Sequence, residues 1–306
     1  MTNPIHIALA FDEKYVTPFL VVLTSIFENN KGIRIHLHSI ATGVSFEEKQ
    51  RIRAFVQKNN SEISFYQLKP TALQGLIVPA KKPHMTLAAY YRLFFPFLVP
   101  GYVKKLLYLD SDIIVLKNLH ELYQQDLGLF PFGAVPEVNA TKSRPDLGIH
   151  EEGIYFNSGV MLINVPEWKK QKITEKAVRF VREFPDKLVC LDQDALNATI
   201  ENNYFKLPAN FNVLPFDIPD RLSKNDYRKF LEDKVIMHYT LPQTKPWKAL
   251  TTHPFKYLYK NYFYKSPQAK EKLYTDVQLT ADFAWKLAKM RLKTVKRRLS
   301  PIFMLH

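Results

Sequence analysis

The chain has 306 residues, of which 46% are hydrophobic and 24% are charged, and its formal net charge is +14. A chain of this length and composition can bury a substantial core, so we expect one main α/β domain followed by a tail. The single cysteine, Cys190, excludes an intramolecular disulfide and a cysteine-ligated metal site, which indicates a reducing, cytosolic compartment.

The N-terminal segment M-T-N-P-I-H-I-A-L-A-F-D has neither the basic region nor the long apolar run of a secretory signal peptide. The longest strongly apolar stretches, such as residues 19–27, reach about half of the roughly 20 residues that a transmembrane helix needs. We therefore expect a cytosolic protein without a membrane-spanning segment.

The first part of the chain alternates between strand and helix patterns. In chain order, we predict a strand over 5–11, a helix over 15–29, a strand over 33–40, a helix over 46–58 and a strand over 63–68. This order favours a parallel, twisted sheet that binds a nucleotide beyond the carboxyl ends of its strands. Asp12 would then lie just past the first strand.

The α/β pattern continues along the rest of the chain. An aromatic helix is predicted over 86–95, and the prolines at 96 and 100 separate it from a strand over 105–115. The patterns that follow predict strands over 132–135, 158–165 and 235–239 and helices over 168–184 and 192–202.

Two acids interrupt the apolar strand L-Y-L-D-S-D-I-I-V, at Asp110 and Asp112. Residues two apart on a strand point to the same face, and two neighbouring carboxylates resist burial unless a cation or a proton lies between them. A divalent ion would remove this repulsion. A strand that ends in a solvated turn explains the same letters, so the motif alone leaves both interpretations open.

A third candidate ligand lies far along the chain, in V-I-M-H-Y-T-L-P-Q-T-K-P-W, where His238 ends an apolar strand and Lys245 follows. A lone histidine at such a place is more often structural than ligating, whereas together with Asp110 and Asp112 it completes a metal-ligand set. Carboxylates, one imidazole and phosphate oxygens suit Mn(II) better than an all-oxygen Ca(II) or Mg(II) cage, and Mg(II) is kept as the alternative.

With these residues in place, the chain resembles glycosyltransferase family 8, which includes bacterial lipooligosaccharide galactosyl- and glucosyltransferases and the glycogenins. The resemblance runs from about residue 5 to Trp247 in six ordered blocks: I-A-L-A-F-D-E-K-Y, A-A-Y-Y-R-L, L-Y-L-D-S-D-I-I-V, Y-F-N-S-G-V-M-L-I-N-V, L-D-Q-D-A-L-N and H-Y…K-P-W. It implies a Rossmann-like GT-A fold, a UDP-galactose or UDP-glucose donor, Mn(II), and retention of the α-anomeric configuration.

The resemblance also implies roles for residues in these blocks. The implied metal ligands are Asp110, Asp112 and His238. The implied donor contacts are Ala10, Asp12, Tyr15, Arg92, Ser111 and Lys245, with Asp12 at the uracil ring and Lys245 at the diphosphate. The implied sugar-handling and catalytic residues are Asn157, Asp192 and Gln193. Two further residues, His84 and Thr86, align with positions at which members of the family contact the donor or the acceptor. We assign both to the acceptor.

The chemistry agrees with this assignment. Breaking a sugar–phosphate bond develops negative charge on the departing diphosphate, which a bound cation and Lys245 would stabilise. Retention requires either a covalent intermediate or attack from the face that the leaving group vacates. The amide oxygen of Gln193 is a poor nucleophile, which favours same-face attack, whereas Asp192 as a nucleophile remains the alternative. Acids are also common in the first turn of a helix, which explains Asp192 and Asp194 without a catalytic role.

One departure from the family lies between His-Tyr and Lys-Pro-Trp. The family has a short glycine-containing stretch there, whereas this chain has T-L-P-Q-T over residues 240–244, which is one residue longer and lacks glycine. Leu241 therefore carries a side chain where backbone N–H groups would approach the diphosphate. This departure is the support for one rival interpretation, a UDP-sugar-binding protein of weak catalytic activity.

We divide the chain into a catalytic domain over 1–265 and a basic helical tail over 266–306. Apolar residues of the tail recur at three-and-four spacing: Trp285, Ala288, Leu292, Val295, Leu299 and Phe303. Seven basic residues and no acid follow Trp285. This pattern indicates an interfacial helix that attaches the protein peripherally to an anionic membrane, on its cytoplasmic face.

A membrane-bound tail would bring the active site to a lipid-linked glycan such as lipopolysaccharide, which is the acceptor that we expect. A glycogenin-like initiator that glucosylates its own tyrosine is the rival enzyme, and the 16 tyrosines make it conceivable. A metal-dependent phosphotransferase or nuclease leaves the uridine-like and Lys-Pro-Trp blocks unexplained. Nucleic-acid binding is not expected because the chain contains no recognised module for it.

Overall fold

The computed structural model describes residues 4–78, 86–139, 143–219 and 223–273, together with Thr280, Asp282, Trp285, Ala288, Lys289 and Leu292. The strands within this part of the chain are β1 Ile5–Asp12, β2 Ile35–Thr42, β3 Glu62–Tyr66, β4 Lys105–Leu109, β5 Ile113–Val115, β6 Phe132–Pro136, β7 Phe156–Asn164, β8 Phe205–Lys206 and β9 Ile236–His238. The α-helices are α1 Val16–Asn29, α2 Phe46–Lys58, α3 Phe95–Leu98, α4 His120–Gln124, α5 Val165–Lys170, α6 Ile173–Glu183, α7 Asp192–Ile200, α8 Lys224–Leu231 and α9 Lys256–Phe263.

Among the described residues, the central sheet has seven strands in the order β3-β2-β1-β4-β7-β6-β8, and β5 pairs with β9 in a separate two-stranded sheet. Strands β3, β2, β1 and β4 run parallel, whereas β7 is antiparallel to both β4 and β6. The carboxyl ends of β1 and β4 therefore lie side by side. Asp12 ends β1 and Asp110 directly follows β4, at the sheet edge where doubly wound folds bind nucleotides.

Hydrophobic layers cover both faces of this sheet. Along β1, Ile7, Leu9 and Phe11 pack in one layer with residues of α1 and α2, whereas Ala8 packs in the other layer with residues of α6 and α7. A third cluster joins Val21 of α1 to β5, β9 and α9. Helix α1 is therefore buried along nearly its whole length, which explains why its sequence is apolar on all sides.

The predicted β-α-β-α-β succession is confirmed, with element boundaries that differ by at most two residues from those predicted. The α/β class is confirmed as well, because the central sheet is mixed, parallel over β3, β2, β1 and β4, and covered by helices. The parallel pairing of the first strands was predicted because a strand–helix–strand succession favours a parallel crossover connection.

Three predicted elements differ from the structure. The strand predicted over 105–115 is divided by a turn at Asp110–Asp112, and β5 leaves the central sheet to pair with β9. The helix predicted over 168–184 is divided between α5 and α6 at Lys172, which adopts a left-handed conformation with φ 56°. The aromatic segment forms a 3-10 helix over Leu87–Leu93 rather than an α-helix.

The C-terminal part of the described chain packs against the sheet's helices. Tyr259 and Phe263 of α9 are buried in the third cluster, and the Lys265 ammonium lies 2.8 Å from the Glu28 carboxylate. Most of the predicted tail over 266–306 lies outside the described residues, but Trp285 and Leu292 are described and are 58% and 61% exposed. No helix of the described part is long and apolar enough to cross a bilayer.

Candidate active site

Three candidate metal ligands converge where β4 ends. Asp110 and Asp112 lie in the turn between β4 and β5, and His238 is the last residue of β9, which pairs with β5. The His238 Nε2 atom lies 3.1 Å from Asp112 Oδ1 and 3.8 Å from Asp110 Oδ2. One donor atom from each residue lies within 4.8 Å of the other two. The turn, rather than the alternation of a strand, brings the two carboxylates together.

Lys245 approaches the same group of residues. Its ammonium contacts Asp112 Oδ2 and donates to the Thr240 carbonyl at 3.2 Å. Burial alone would raise the pKa of Asp112, but the Lys245 ammonium and the His238 imidazole outweigh burial, so this pKa lies well below its ordinary value. Asp112 is therefore ionised at neutral pH and can serve as a carboxylate ligand.

The tautomer of His238 follows from its hydrogen bonds. Its Nδ1 atom lies 2.9 Å from Asn212 Oδ1, while the Asn212 amide group donates to Asn157 Oδ1, also at 2.9 Å. Asn212 Oδ1 is thus the acceptor, and the proton of His238 is assigned to Nδ1. Nε2 is then the nitrogen that remains for a metal, and it lies at hydrogen-bond distance from Asp112 Oδ1, at 3.1 Å. Two carboxylate oxygens and one imidazole nitrogen form a donor set that fits Mn(II).

Gly159 lies directly against this donor set. A Cβ atom at position 159 would lie 2.2 Å from His238 Cε1 and 2.7 Å from Asp110 Oδ2, both far below van der Waals contact. The glycine carbonyl also accepts the Asp110 N–H at 2.8 Å. Glycine at this position therefore lets β7 approach the metal ligands and holds the backbone of Asp110.

Arg92 connects the metal ligands to the start of α7. This buried guanidinium lies 2.9 Å from Asp110 Oδ1 through Nη2 and 2.8 Å from Asp192 Oδ2 through Nε. It also stacks over the Tyr108 ring at 4.7 Å and donates to the Ser158 carbonyl and hydroxyl. Its positive charge compensates the negative charges of the buried Asp192 and the partly buried Asp110.

Asp192 and Gln193 begin α7 and are both buried. The residue before them, Leu191, has a φ of 48°, a strained value for a side chain of this size, and this turn directs both side chains into the site. Burial and the nearby Asp110 carboxylate raise the pKa of Asp192 to about 7, although Arg92 opposes this shift. The predicted first turn of a helix is thus present, and Asp192 lies beside Arg92.

The Gln193 amide is fixed by four hydrogen bonds. Its oxygen accepts from Asn157 Nδ2 at 3.0 Å and from the Ser158 N–H at 3.1 Å. Its nitrogen donates to Glu137 Oε1 and to the Tyr155 hydroxyl, each at 3.1 Å. The orientation of the amide is therefore determined by its neighbours, and both lone pairs of the oxygen are in use.

Comparison with known proteins identifies the family. The sequence model of glycosyl transferase family 8 matches residues 6–251, which is most of the chain. The chain belongs to this family. Its relatives include lipopolysaccharide glucosyltransferases, and its metal-ligand candidates, Arg92 and α7 all fall within the matched range.

Individual proteins are similar to the chain over most of its length. General stress protein A of Bacillus subtilis (strain 168) is 30% identical over 267 residues, which cover 84% of this chain and 92% of that protein. Lipopolysaccharide 1,2-glucosyltransferase of Escherichia coli (strain K12) is 27% identical over 269 residues, which cover 86% of this chain and 78% of that protein. The galactosyltransferase LgtC, solved in complex with donor and acceptor sugar analogues, superposes with a TM-score of 0.73 at 23% identity, covering 86% of this chain and 96% of that one.

The predicted nucleotide contacts of this glycosyltransferase lie at the ends of β1 and β4. The Ser111 hydroxyl donates to the Ala10 carbonyl at 3.0 Å, and Asp12 caps the short 3-10 helix that contains Tyr15. Burial and the negative charges of Asp112 and Asp12 raise the pKa of Tyr15, whose ring meets the Trp247 ring edge-on at 5.6 Å. Tyr15 and Trp247 lie near the two ends of the range that the family model matches, so these two ends are in contact.

The acceptor assignments of this family 8 chain are placed only in part. Thr86 is exposed and precedes the 3-10 helix that carries Arg92, whereas His84 lies outside the described residues.

In the unusual loop over 240–244, the Thr244 hydroxyl accepts a hydrogen bond from the Leu241 N–H and donates one to the Leu241 carbonyl. The Leu241 N–H is therefore engaged inside the loop rather than directed at a diphosphate.

Three residues of the glycosyltransferase site were not singled out from the sequence. Gly159 makes room for the ligands, Asn212 orients His238, and Glu137 accepts from both Asn157 and Gln193. Of the Asn-Ser-Gly letters, only Asn157 was assigned a role, although a glycine inside a strand often marks a close approach of another group. Asn212 and Glu137 lie in segments without any recognisable motif.

Proposed function

We propose that this glycosyltransferase moves galactose or glucose from a UDP-sugar to a membrane-linked oligosaccharide such as lipopolysaccharide, with retention and with Mn(II). The observation that carries the proposal is the convergence of Asp110, Asp112 and the Nε2 atom of His238 beside Lys245, at the nucleotide-binding edge of the sheet. The names of the lipopolysaccharide-synthesising relatives support the acceptor class.

The charges of the site suit the departure of a diphosphate. Asp110, Asp112 and His238 would hold the cation, which acts as a Lewis acid toward the leaving group. The Lys245 ammonium, which contacts Asp112, would supply positive charge to the departing diphosphate. UDP would then leave without a separate general acid.

The residues around the sugar favour same-face attack. Both lone pairs of the Gln193 oxygen accept hydrogen bonds, which removes its capacity as a nucleophile while the network is intact. Asp192 accepts from Arg92 and from the Ser158 hydroxyl through Oδ2, which lowers its nucleophilicity. We infer that these residues orient the sugar, and that the departing diphosphate accepts the proton of the acceptor hydroxyl.

Turnover of a donor panel tests this function. UDP release is measured for several UDP-hexoses with Mn(II), first without acceptor, for the wild type, for Asp112→Asn and for Asp233→Asn, an exposed aspartate whose carboxylate pairs with its neighbour Lys234. We expect slow hydrolysis of one UDP-hexose that Asp112→Asn abolishes and Asp233→Asn preserves. Equal turnover in Asp112→Asn would refute the proposed site.

The tail supports a membrane location on the cytoplasmic side. Trp285 and Leu292 are largely exposed, and the described basic residue Lys289 lies beside them, with its ammonium 3.6 Å from the centre of the Trp285 ring. We expect the protein to sediment with phosphatidylglycerol vesicles and to lose this binding in high salt or when residues 274–306 are removed. Equal sedimentation of the truncated protein would refute the role of the tail.

A further inference from the structure

A second group of candidate metal ligands lies far from the active site, at the opposite end of β1. His6 on β1 pairs in register with His36 on β2, and His38 follows two positions later on β2. Because alternate residues of a strand share a face, all three imidazoles stand on the same side of the sheet. Asp12 lies six positions after His6, which is about 20 Å at a strand rise of about 3.3 Å per residue.

The three rings lie close enough to share one ion. One ring nitrogen from each histidine lies within 4.8 Å of the other two, and His6 Nδ1 is 3.0 Å from His38 Nε2. The ring centres are 4.4–5.5 Å apart. A tetrahedral Zn(II) ion with Zn–N distances of about 2.0–2.1 Å requires ligand nitrogens about 3.3 Å apart, so small ring rotations would complete the geometry.

Neighbouring side chains fix the orientation of two rings. His38 Nδ1 lies 2.8 Å from the Tyr66 hydroxyl, and His36 Nε2 lies 2.9 Å from the Ser64 hydroxyl. Hydrogen bonds to the second ring nitrogen are how proteins orient histidine ligands toward a metal. Tyr66 and Ser64 lie on β3, so the arrangement spans three adjacent parallel strands.

The cluster is neutral and accessible from one side. Burial and the neighbouring imidazoles lower the pKa of His6 to about 4 and that of His38 to about 3, so both rings are uncharged at pH 7. The side chain of His36 is 14% exposed, and its Nδ1 atom lies 3.9 Å from the Glu62 carboxylate, whose side chain is 72% exposed. Glu62 thus places a negative charge at the entrance.

We propose that His6, His36 and His38 form a structural site for a divalent transition-metal ion of the Zn(II) class, separate from the site at Asp110, Asp112 and His238. Imidazole nitrogens without an adjacent carboxylate pair favour Zn(II) over Mn(II), which prefers oxygen ligands. The bound ion would link β1 to β2 and so stabilise the parallel half of the sheet.

The test measures metal binding at the three histidines alone, because the Asp112→Asn substitution disables the site at Asp110, Asp112 and His238. Tag-free Asp112→Asn protein is treated with a chelator, dialysed and titrated with Zn(II) by calorimetry. We expect one equivalent to bind and the melting temperature to rise by several degrees. In Asp112→Asn/His36→Gln, where glutamine can retain the bond to Ser64, we expect at least tenfold weaker binding. The matched control is Asp112→Asn/His120→Gln, because His120 is exposed on α4, and it should bind as tightly as Asp112→Asn.

Co(II) gives a second readout that needs no further variant. In the Asp112→Asn protein, we expect the intense visible absorption of a four-coordinate Co(II) ion with imidazole ligands. Absence of Zn(II) binding to Asp112→Asn, equal binding when His36 is replaced, or an octahedral Co(II) spectrum would each overturn the proposal. None of these outcomes depends on UDP-sugar turnover, so they are distinguishable from a failure of the proposed function.

Discussion

Replacement of Gly159 by alanine should disturb the metal ligands with a single methyl group. The new Cβ would lie 2.2 Å from His238 Cε1 and 2.7 Å from Asp110 Oδ2. His238 is 1% exposed and hydrogen-bonded to Asn212, so its ring cannot move aside freely. Overpacking of this kind typically costs about 1–3 kcal/mol, equivalent to about 5- to 150-fold in an equilibrium constant. We expect the Mn(II) affinity, measured by titration, to decrease by a factor within that range, and the rate of UDP-sugar hydrolysis to decrease with it.

Gly101→Ala is the matched control for this substitution. A Cβ atom added to Gly101 would meet no heavy atom within 4 Å, and this glycine does not adopt a left-handed conformation. Its replacement should therefore leave Mn(II) affinity and hydrolysis unchanged. Wild-type affinity and turnover in Gly159→Ala, with both variants folded, would refute the argument that β7 must approach the ligands closely.

Three further substitutions test other parts of the site. Asn212→Ala removes the partner of His238 Nδ1, and we expect about 10- to 100-fold weaker Mn(II) binding in the same titration. Lys245→Met removes the cation next to Asp112, and we expect kcat for donor hydrolysis to fall about 100-fold, whereas an unchanged kcat would exclude a role at the diphosphate. Folding raises the pKa of Asp192 to about 7, from about 3.9 in an unfolded chain. The protonated Asp192 side chain therefore stabilises the folded state fully below about pH 4, and this contribution is lost as the pH rises through about 7. Melting curves should therefore decline less with pH in Asp192→Asn than in the wild type, and parallel declines would contradict the raised pKa.

The fold could be predicted from the sequence because its signals are local. The apolar strands and amphipathic helices of the first 66 residues each carry their own pattern, and the confirmed parallel order follows from their alternation. The division of the predicted helix at Lys172 could not be foreseen, because Lys-Lys-Gln-Lys contains neither glycine nor proline. The turn at Asp110–Asp112 was one of two interpretations that the sequence left open, because the apolar letters on both sides continue a strand pattern.

The candidate site could be predicted where its residues belong to motifs. Asp110, Asp112 and His238 were identified from the sequence and are brought together in the structure, although their role as ligands stays a prediction. Asn212 and Glu137 were not identified, because their importance arises from hydrogen bonds to residues 20–56 positions away that no local pattern records. The GT-A assignment came from the family resemblance and is confirmed, whereas the donor sugar and the acceptor stay proposals.

The binding of UDP with and without Mn(II) tests the central claim most directly. Calorimetry on the wild type, His238→Gln and the control His120→Gln measures whether the cluster of Asp110, Asp112 and His238 holds a metal that the nucleotide requires. We predict one Mn(II) equivalent and metal-dependent UDP binding in the wild type and in the control, and loss of both in His238→Gln. UDP binding that is independent of Mn(II) in all three proteins would contradict the account.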